Sequence, residues 1–246
     1  MLLYQAIREY LFSLIAKQPD MKKLPSEREL LEQFHSTRIT VREALMRLEA
    51  EGLIYRQNRK GWFICPPRLQ WDPVQKVNFY QLAHDQNFVA NTRLVSIEKL
   101  KLHSSSSQID QETDESKKLQ LDTIDLAFNQ PKNVYEICRV RSLDERPVMV
   151  EEIYCLAEDF IGLPEKDLTG SITAIFQDDY QVNITAESSS IYVTALPEHI
   201  AKLLNLNSGA SCLKIIRQRY AAEKTLVDYN IEYWVHGAIE IKVDSH

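Results

Sequence analysis

The chain has 246 residues, 44% of them hydrophobic and 26% charged, which is ordinary composition for a folded chain with room for one large or two modest domains. No apolar run approaches the ~20 residues needed to span a bilayer, so a membrane partner is not expected. Net charge is −6, unevenly placed: residues 1–68 hold 12 Lys+Arg against 8 Asp+Glu (+4), and the remainder 17 against 27 (−10). The split argues against a protein coated with nucleic acid throughout and fits a small phosphate-seeking head on an acidic body.

The opening stretch, MLLYQAIREYLFSLIAK, carries Arg8 and Glu9 inside its apolar pattern and has no small-residue cleavage site. It reads as an amphipathic helix, with Leu3, Ile7, Leu11, Leu14 and Ile15 on one stripe, and not as a signal peptide. Gln18-Pro19-Asp20 ends it. A second helix starts at Ser26, where Ser26-Glu27-Arg28-Glu29 has the pattern of a capping box, and Leu30, Leu31 and Phe34 give it an apolar side. His35-Ser36 forms the turn, and Thr37 is placed to cap a third helix. That helix repeats apolar residues at Val41, Ala44, Leu45 and Leu48 and stops at Gly52. Arg38, Thr40 and Arg42 therefore fall in its first turn and a half, the part of a recognition helix that meets base edges. Arginine there can bond guanine bidentately or grip phosphate. Leu53-Ile54-Tyr55 and Trp62-Phe63-Ile64 flank Asn58-Arg59-Lys60-Gly61, a hairpin wing whose basic tip (Arg59, Lys60) could enter a minor groove.

Pro66-Pro67 and Trp71-Asp72-Pro73 mark an extended linker. Ser104–Ser107 is the one low-complexity patch, read as a loop leading into the acidic 108–116 stretch. Beyond residue 90, strands are predicted at Thr92–Leu102, Val134–Leu143, Val148–Tyr154, Val182–Thr194, Leu213–Ala221, Leu226–Val235 and Ile239–Val243. Helices are predicted at Ser171–Tyr180 and Pro197–Asn205. Tight turns such as Glu145-Arg146-Pro147 imply an antiparallel sheet and an α+β domain. On the second of these strands Arg139 and Arg141 alternate and share a face. They can pair with Glu151, Glu152 or Asp144 across the hairpin, which spacing alone favours, or form an oxyanion cradle with the helix N-terminus at Ser171.

Residues 3–7, LPSEREL (24–30), TRITVREALMRLEAEGLI (37–54) and the KG-x-F of the wing closely resemble the winged-helix head of the GntR family of bacterial repressors. The resemblance implies that Arg28, Arg38, Thr40 and Arg42 contact operator DNA, with Gly61 at the wing tip; Thr37, Arg59 and Lys60 complete the expected DNA-binding set. His35-Ser36 stands where the family usually has Gly-Val, and Arg59 where the wing usually has a second glycine. Residues from about 91 to 243 resemble the UTRA effector domain of the HutC-type subfamily, through TRLVSIE (92–98), the RVR strand followed by PVMVEEIY (147–154), the Ser171 helix, LLNL (203–206) and VDYNIEYW (227–234). The resemblance implies a chorismate lyase-like fold that binds small acidic or phosphorylated metabolites. Carried over, Thr92, Arg139, Arg141 and Ser171 would hold the anionic group, with Glu151, Tyr154, Asp228, Tyr229 and Tyr233 around its polar remainder. Thr173 stands where the family often has tyrosine, and Ala90-Asn91 precede Thr92 in place of glycine and proline.

The expected organisation is a winged helix-turn-helix at 1–66, a linker at 67–90 and an effector-binding and dimerisation domain at 91–246. The six histidines form no metal set, there is no phosphate-binding glycine loop or nucleophile elbow, and no cofactor or metal is expected. The four scattered cysteines suit idle thiols in a reducing cytoplasm. The expected protein is a cytoplasmic, homodimeric transcription regulator, a repressor of operator DNA, tuned by a small anion such as a phosphorylated sugar, a phosphonate or an organic acid. A lyase-like enzyme using the C-terminal pocket, or an activator, is the alternative.

Overall fold

The computed structural model describes residues 2–57, 60–75, 78–102, 115–129 and 133–243. Arg59 and the Ser104–Ser107 patch lie outside the described residues. The chain forms two compact units, each gathered from separate stretches. The first comprises Met1–Val74, Ala195–Ser211 and Val235–His246, the second Gln75–Thr194 and Cys212–Trp234.

The first unit begins with α1 (Leu3–Lys17), α2 (Glu27–Phe34) and α3 (Arg38–Ala50). Ile7 and Leu11 of α1, Leu30 of α2, and Val41, Ala44, Leu45 and Leu48 of α3 make one core with Leu24, Ile54 and Trp62. These are the predicted stripes, three and four residues apart, turned inward. The Ser26 hydroxyl accepts from the Glu29 amide (3.2 Å) while the Glu29 carboxylate accepts from the Ser26 amide (2.7 Å), so the capping box is formed. The turn before α3 keeps a left-handed residue without glycine: His35 has φ +47°. Histidine is among the side chains that tolerate this region, at a cost on the order of 1 kcal/mol.

The wing pairs β1 (Ile54–Gln57) with β2 (Gly61–Ile64) antiparallel, Ile54 opposite Ile64 and Gln57 opposite Gly61. Gly61 has φ +104°, which explains the glycine better than crowding does, since a Cβ there would meet only Lys23 at 3.5 Å. The expected linker is structured. It contains β3 (Leu69–Trp71), which runs parallel to the C-terminal β10 (Ile239–Ile241), with Leu69 opposite Ile239. The short α7 (Glu198–Leu203) also belongs to this unit.

The second unit is built on a six-stranded sheet of β4 (Ala90–Leu100), β5 (Val134–Leu143), β6 (Arg146–Leu156), β7 (Ala186–Ala195), β8 (Ser211–Tyr220) and β9 (Leu226–Val235), in the order β4-β5-β6-β9-β8-β7. The β4-β5, β5-β6 and β6-β9 ladders are antiparallel. Among the described residues three α-helices accompany it: α4 (Phe79–Asp85), inside the expected linker, α5 (Glu115–Ala127) and α6 (Ile172–Tyr180). Ile172 and Phe176 of α6 pack with Phe160, Leu163 and Leu168 on Ile137, Ile153 and Cys155, and the Phe160 and Phe176 rings stack at 4.2 Å.

Candidate nucleic-acid interface and effector site

In the first unit, α3 presents its opening turn to solvent. The Thr37 hydroxyl accepts from the Thr40 amide (3.3 Å) and lies 3.0 Å from the Thr40 hydroxyl, so both threonines are engaged in capping the helix. Arg38 is exposed and makes no hydrogen bond or ion pair among the described residues. Arg42 is 54% exposed, but its Nε donates to Glu27 at 3.0 Å, tying α3 to α2. The Trp62 indole also donates to Glu27 (3.3 Å). Burial works against the Glu27 charge, yet these hydrogen bonds win and hold its carboxyl below the usual range. Arg28 stands well out in solvent and pairs with Glu32 one turn on. Lys60 is exposed at the wing tip beside Gly61. Arg28, Arg38, Thr40 and Arg42 thus lie on α2 and α3 and Thr37 caps α3, with Lys60 and Gly61 on the wing.

In the second unit, cross-strand partners share a face of the sheet. Arg139 lies opposite Glu151, Arg141 opposite Thr92, and Glu151 opposite Glu232. These residues occupy the face that α6 covers, and Asp228, opposite Cys155, is there too. Tyr154 lies opposite Tyr229, and Val150 opposite Tyr233, on the other face. The nine residues expected around one effector therefore do not share a face, and Tyr154, Tyr229 and Tyr233 must be separated from the rest. The reason is the two-residue period of a strand: Glu151 and Tyr154 are three apart and Asp228 and Tyr229 are adjacent, so each pair points to opposite sides.

The three tyrosines have their own surroundings. The Tyr154 hydroxyl donates to Glu136 and accepts from Lys117 (2.9 Å) and Gln120 (3.0 Å) of α5. The Tyr233 hydroxyl donates to Gln120 (3.3 Å). Lys117 also bonds Glu136 and Glu152, and Gln120 bonds Glu152 (2.8 Å). Glu152 is thus excluded as a partner of the arginine pair. So is Asp144, whose carboxylate accepts from the Val89 amide (3.0 Å).

On the α6 face both arginines converge on a single carboxylate. Arg139 reaches Glu151 at 2.5 Å, and Arg141 bonds it through Nε (2.7 Å) and Nη2 (3.2 Å). Arg139 is 1% exposed and further fixed by donating to the carbonyls of Leu168 (2.8 Å) and Gly170 (2.9 Å), which draws it to the start of α6. Arg141 is 12% exposed, with its guanidinium 4.8 Å from the Phe79 ring centroid. Ser171 caps α6, its hydroxyl accepting from the Ala174 amide (3.3 Å). The Thr92 hydroxyl, the Arg139 Nε and the Asn230 side-chain oxygen are buried without a hydrogen-bond partner among the described residues. Buried polar groups are seldom left so. Asp228 is engaged by Arg219, which also donates to the Thr173 hydroxyl (2.6 Å).

Sequence reasoning missed three members of this neighbourhood. Phe79 and Tyr80 come from α4, where Tyr80 donates to the Thr169 carbonyl (2.5 Å). Asn78 capping Gln81, with apolar residues at 79, 82 and 83, was the available signal. Arg219 alternates with Arg217 on β8 in the same R-x-R pattern as Arg139 and Arg141, a repeat visible in the sequence.

Burial alone would raise the Glu151 carboxyl, but the adjacent Arg139 and Arg141 guanidiniums outweigh it and hold it at about 2, against an ordinary 4.5. A carboxyl depressed in the folded state stabilises fully above its unfolded value and loses that contribution as pH falls toward the folded one. The thermal midpoint should therefore decline as pH drops from 4.5 to about 2, and Glu151→Gln should flatten that part of the decline. An identical pH slope in the variant would count against this role.

Profile comparison matches residues 3–64 to "Bacterial regulatory proteins, gntR family" and residues 120–240 to "UTRA domain". The chain belongs to the GntR family. Within it, the UTRA domain marks a HutC-type regulator, a DNA-binding transcription regulator with a domain of the effector-binding kind. Its relatives include the HTH-type transcriptional repressor NagR of Bacillus subtilis (strain 168), 27% identical over 212 residues that cover 86% of this chain and 80% of NagR. Another is the probable fructoselysine utilization operon transcriptional repressor of Escherichia coli (strain K12), 23% identical over 87% of this chain and 82% of that protein. Among solved structures, PhnF from Mycobacterium smegmatis shares the fold at a TM-score of 0.62 and 20% identity, across 98% of this chain and 99% of PhnF.

Proposed function

We propose that this GntR-family regulator is a cytoplasmic, homodimeric repressor whose grip on operator DNA is weakened by a small acidic or phosphorylated metabolite, and that it is not an enzyme. The observation that carries the effector reading is the shared carboxylate. Arg139 and Arg141 bring two positive charges to Glu151, which supplies one negative charge, in a place with little water. A second anion beside Arg141 would give that guanidinium a partner it does not share with Arg139, and the Thr92 hydroxyl, in register with Arg141, has a hydrogen bond to offer it. The amides opening α6 favour negative charge as well. Thr92, Arg139, Arg141, Glu151 and Ser171 form this anion subsite, with Asp228 and Arg219 beyond it. Tyr154, Tyr229 and Tyr233 are left to the opposite face.

For DNA, the reading rests on Arg28, Arg38 and Arg42 exposed on α2 and α3. Repression is supported by the names of the two relatives, both called repressors. A homodimer suits a two-fold operator, and β7 supports it. This edge strand, AESSSIYVTA, is exposed along most of its length and carries no lysine, arginine or proline to deter pairing with a second copy. Control follows from linkage: an effector that favours a form binding operator poorly must itself be bound less tightly when operator is present.

The test has two parts. Affinity for duplexes selected from a randomised library should fall about 10³-fold or more between 50 and 200 mM salt if six or more phosphates are contacted. A flat salt dependence would argue against DNA. Inorganic phosphate, sugar phosphates, phosphonates and small carboxylates should then be screened by thermal shift. At least one should raise the midpoint of the full chain and release duplex; if none of these anions does either, the effector reading fails.

A further inference from the structure

The recognition helix carries an apolar ridge where solvent should be. At 100° per residue, Val41, Ala44, Leu45 and Leu48 define the core face of α3, and the opposite side carries Ile39 and Met46, with Glu43, paired to Arg47 at 3.1 Å, and Ala50 beside them. Ile39 is 80% exposed and Met46 62%. They are seven residues apart, two turns or about 10.5 Å along the axis. Neither joins the core of the first unit. Helix stability does not explain Ile39 either, because a β-branched side chain in the first turn is a weaker helix former than alanine or a straight chain.

What surrounds Ile39 indicates what covers it. Arg38 precedes it and Arg42 follows one turn later, both exposed, and the Thr37 and Thr40 hydroxyls flank it. Glu43 is spent on Arg47 and Glu27 on Arg42, which leaves the Arg38 charge uncompensated beside Ile39, an edge that would repel its own copy and attract a polyanion. In the major groove the apolar feature on offer is the C5-methyl group of thymine. We propose that Ile39 is a specificity-determining residue that packs on a thymine methyl in the operator, so that this head selects a T·A pair by contact while the neighbouring arginines supply hydrogen bonds and charge. The proposal rests on the DNA reading above and adds to it a residue and a base.

The test uses the full chain and duplexes it selects from a randomised library. Each thymine of the selected site is replaced in turn by deoxyuridine, which removes only the methyl group. At one thymine per half-site the wild-type chain should lose about fourfold in affinity per methyl, equivalent to about 0.8 kcal/mol for one buried CH₂ group. Ile39→Ala should still bind but should not distinguish thymine from deoxyuridine at that position, while keeping any discrimination elsewhere. Tight binding with no methyl dependence at any thymine, or an Ile39→Ala variant with the wild-type ratio, overturns the proposal and leaves the DNA reading standing. A wild-type chain that selects no duplex overturns both. If Ile39→Ala changes the sedimentation of the DNA-free protein and leaves the thymine-to-deoxyuridine ratio unchanged, the ridge is a protein interface and the proposal fails.

Discussion

Arg38→Ala is expected to cost about 1–3 kcal/mol in operator affinity, five- to 150-fold, and to relax base preference at one position in each half-site. Its side chain is exposed and makes no hydrogen bond, ion pair or ring contact among the described residues. Folding should therefore be unaffected, and the whole loss can be assigned to the duplex. Arg42→Ala is a less direct probe, because Arg42 also holds Glu27. An exposed ion pair contributes about 0.2–1 kcal/mol, so an affinity loss above that range comes from DNA, and Glu27→Gln with Arg42 retained separates the two terms. Competition binding against single-base operator variants is the measurement. Unchanged affinity and unchanged preference in Arg38→Ala would remove the recognition-helix assignment.

Arg141→Ala should abolish the effector response and leave operator affinity as it was. Arg139→Ala should instead destabilise the second unit by about 3–5 kcal/mol, the usual cost of removing one partner from a buried charge pair. The two residues share a strand face but differ in their partners. Arg139 is fixed by Glu151 and two backbone carbonyls, whereas Arg141 leans on Phe79 and retains some exposure. When Arg141 is removed, Glu151 keeps Arg139, so the fold has no reason to fail. Duplex release on adding the active anion, together with the thermal midpoint, distinguishes the cases. Normal induction in Arg141→Ala would mean that the anion is held elsewhere.

The head was legible almost residue by residue. Its signals are local: a capping box, a three-and-four stripe and a glycine at the wing. The sheet was equally legible as a set of strands, and the facing of Arg139 and Arg141 followed from their spacing. Grouping Tyr154, Tyr229 and Tyr233 with Glu151 and Asp228 contradicted that same two-residue period, and simple counting along β6 and β9 would have separated them. Helix α5 was missed for a different reason. Its Leu119 and Leu126 point to solvent while Lys117 and Gln120 face Glu152 and Tyr154, so apolar periodicity points the wrong way. The β3–β10 pairing joins two three-residue strands some 170 positions apart, and no local pattern specifies such a contact.

That pairing makes residues 239–241 a working part of the segment that follows the wing. Among the described residues Ile239, Glu240 and Ile241 supply the only neighbouring strand of β3 in its sheet, and β3 follows the wing within a few residues. Clipping the chain ahead of Ile239 would strip the segment behind the wing of its ladder, and a fragment cut once near residue 74 would lack the two later stretches that complete its compact unit. Shortening one end should thus be felt at the other, as faster amide exchange at Leu69–Trp71 long before the helices of the head begin to melt.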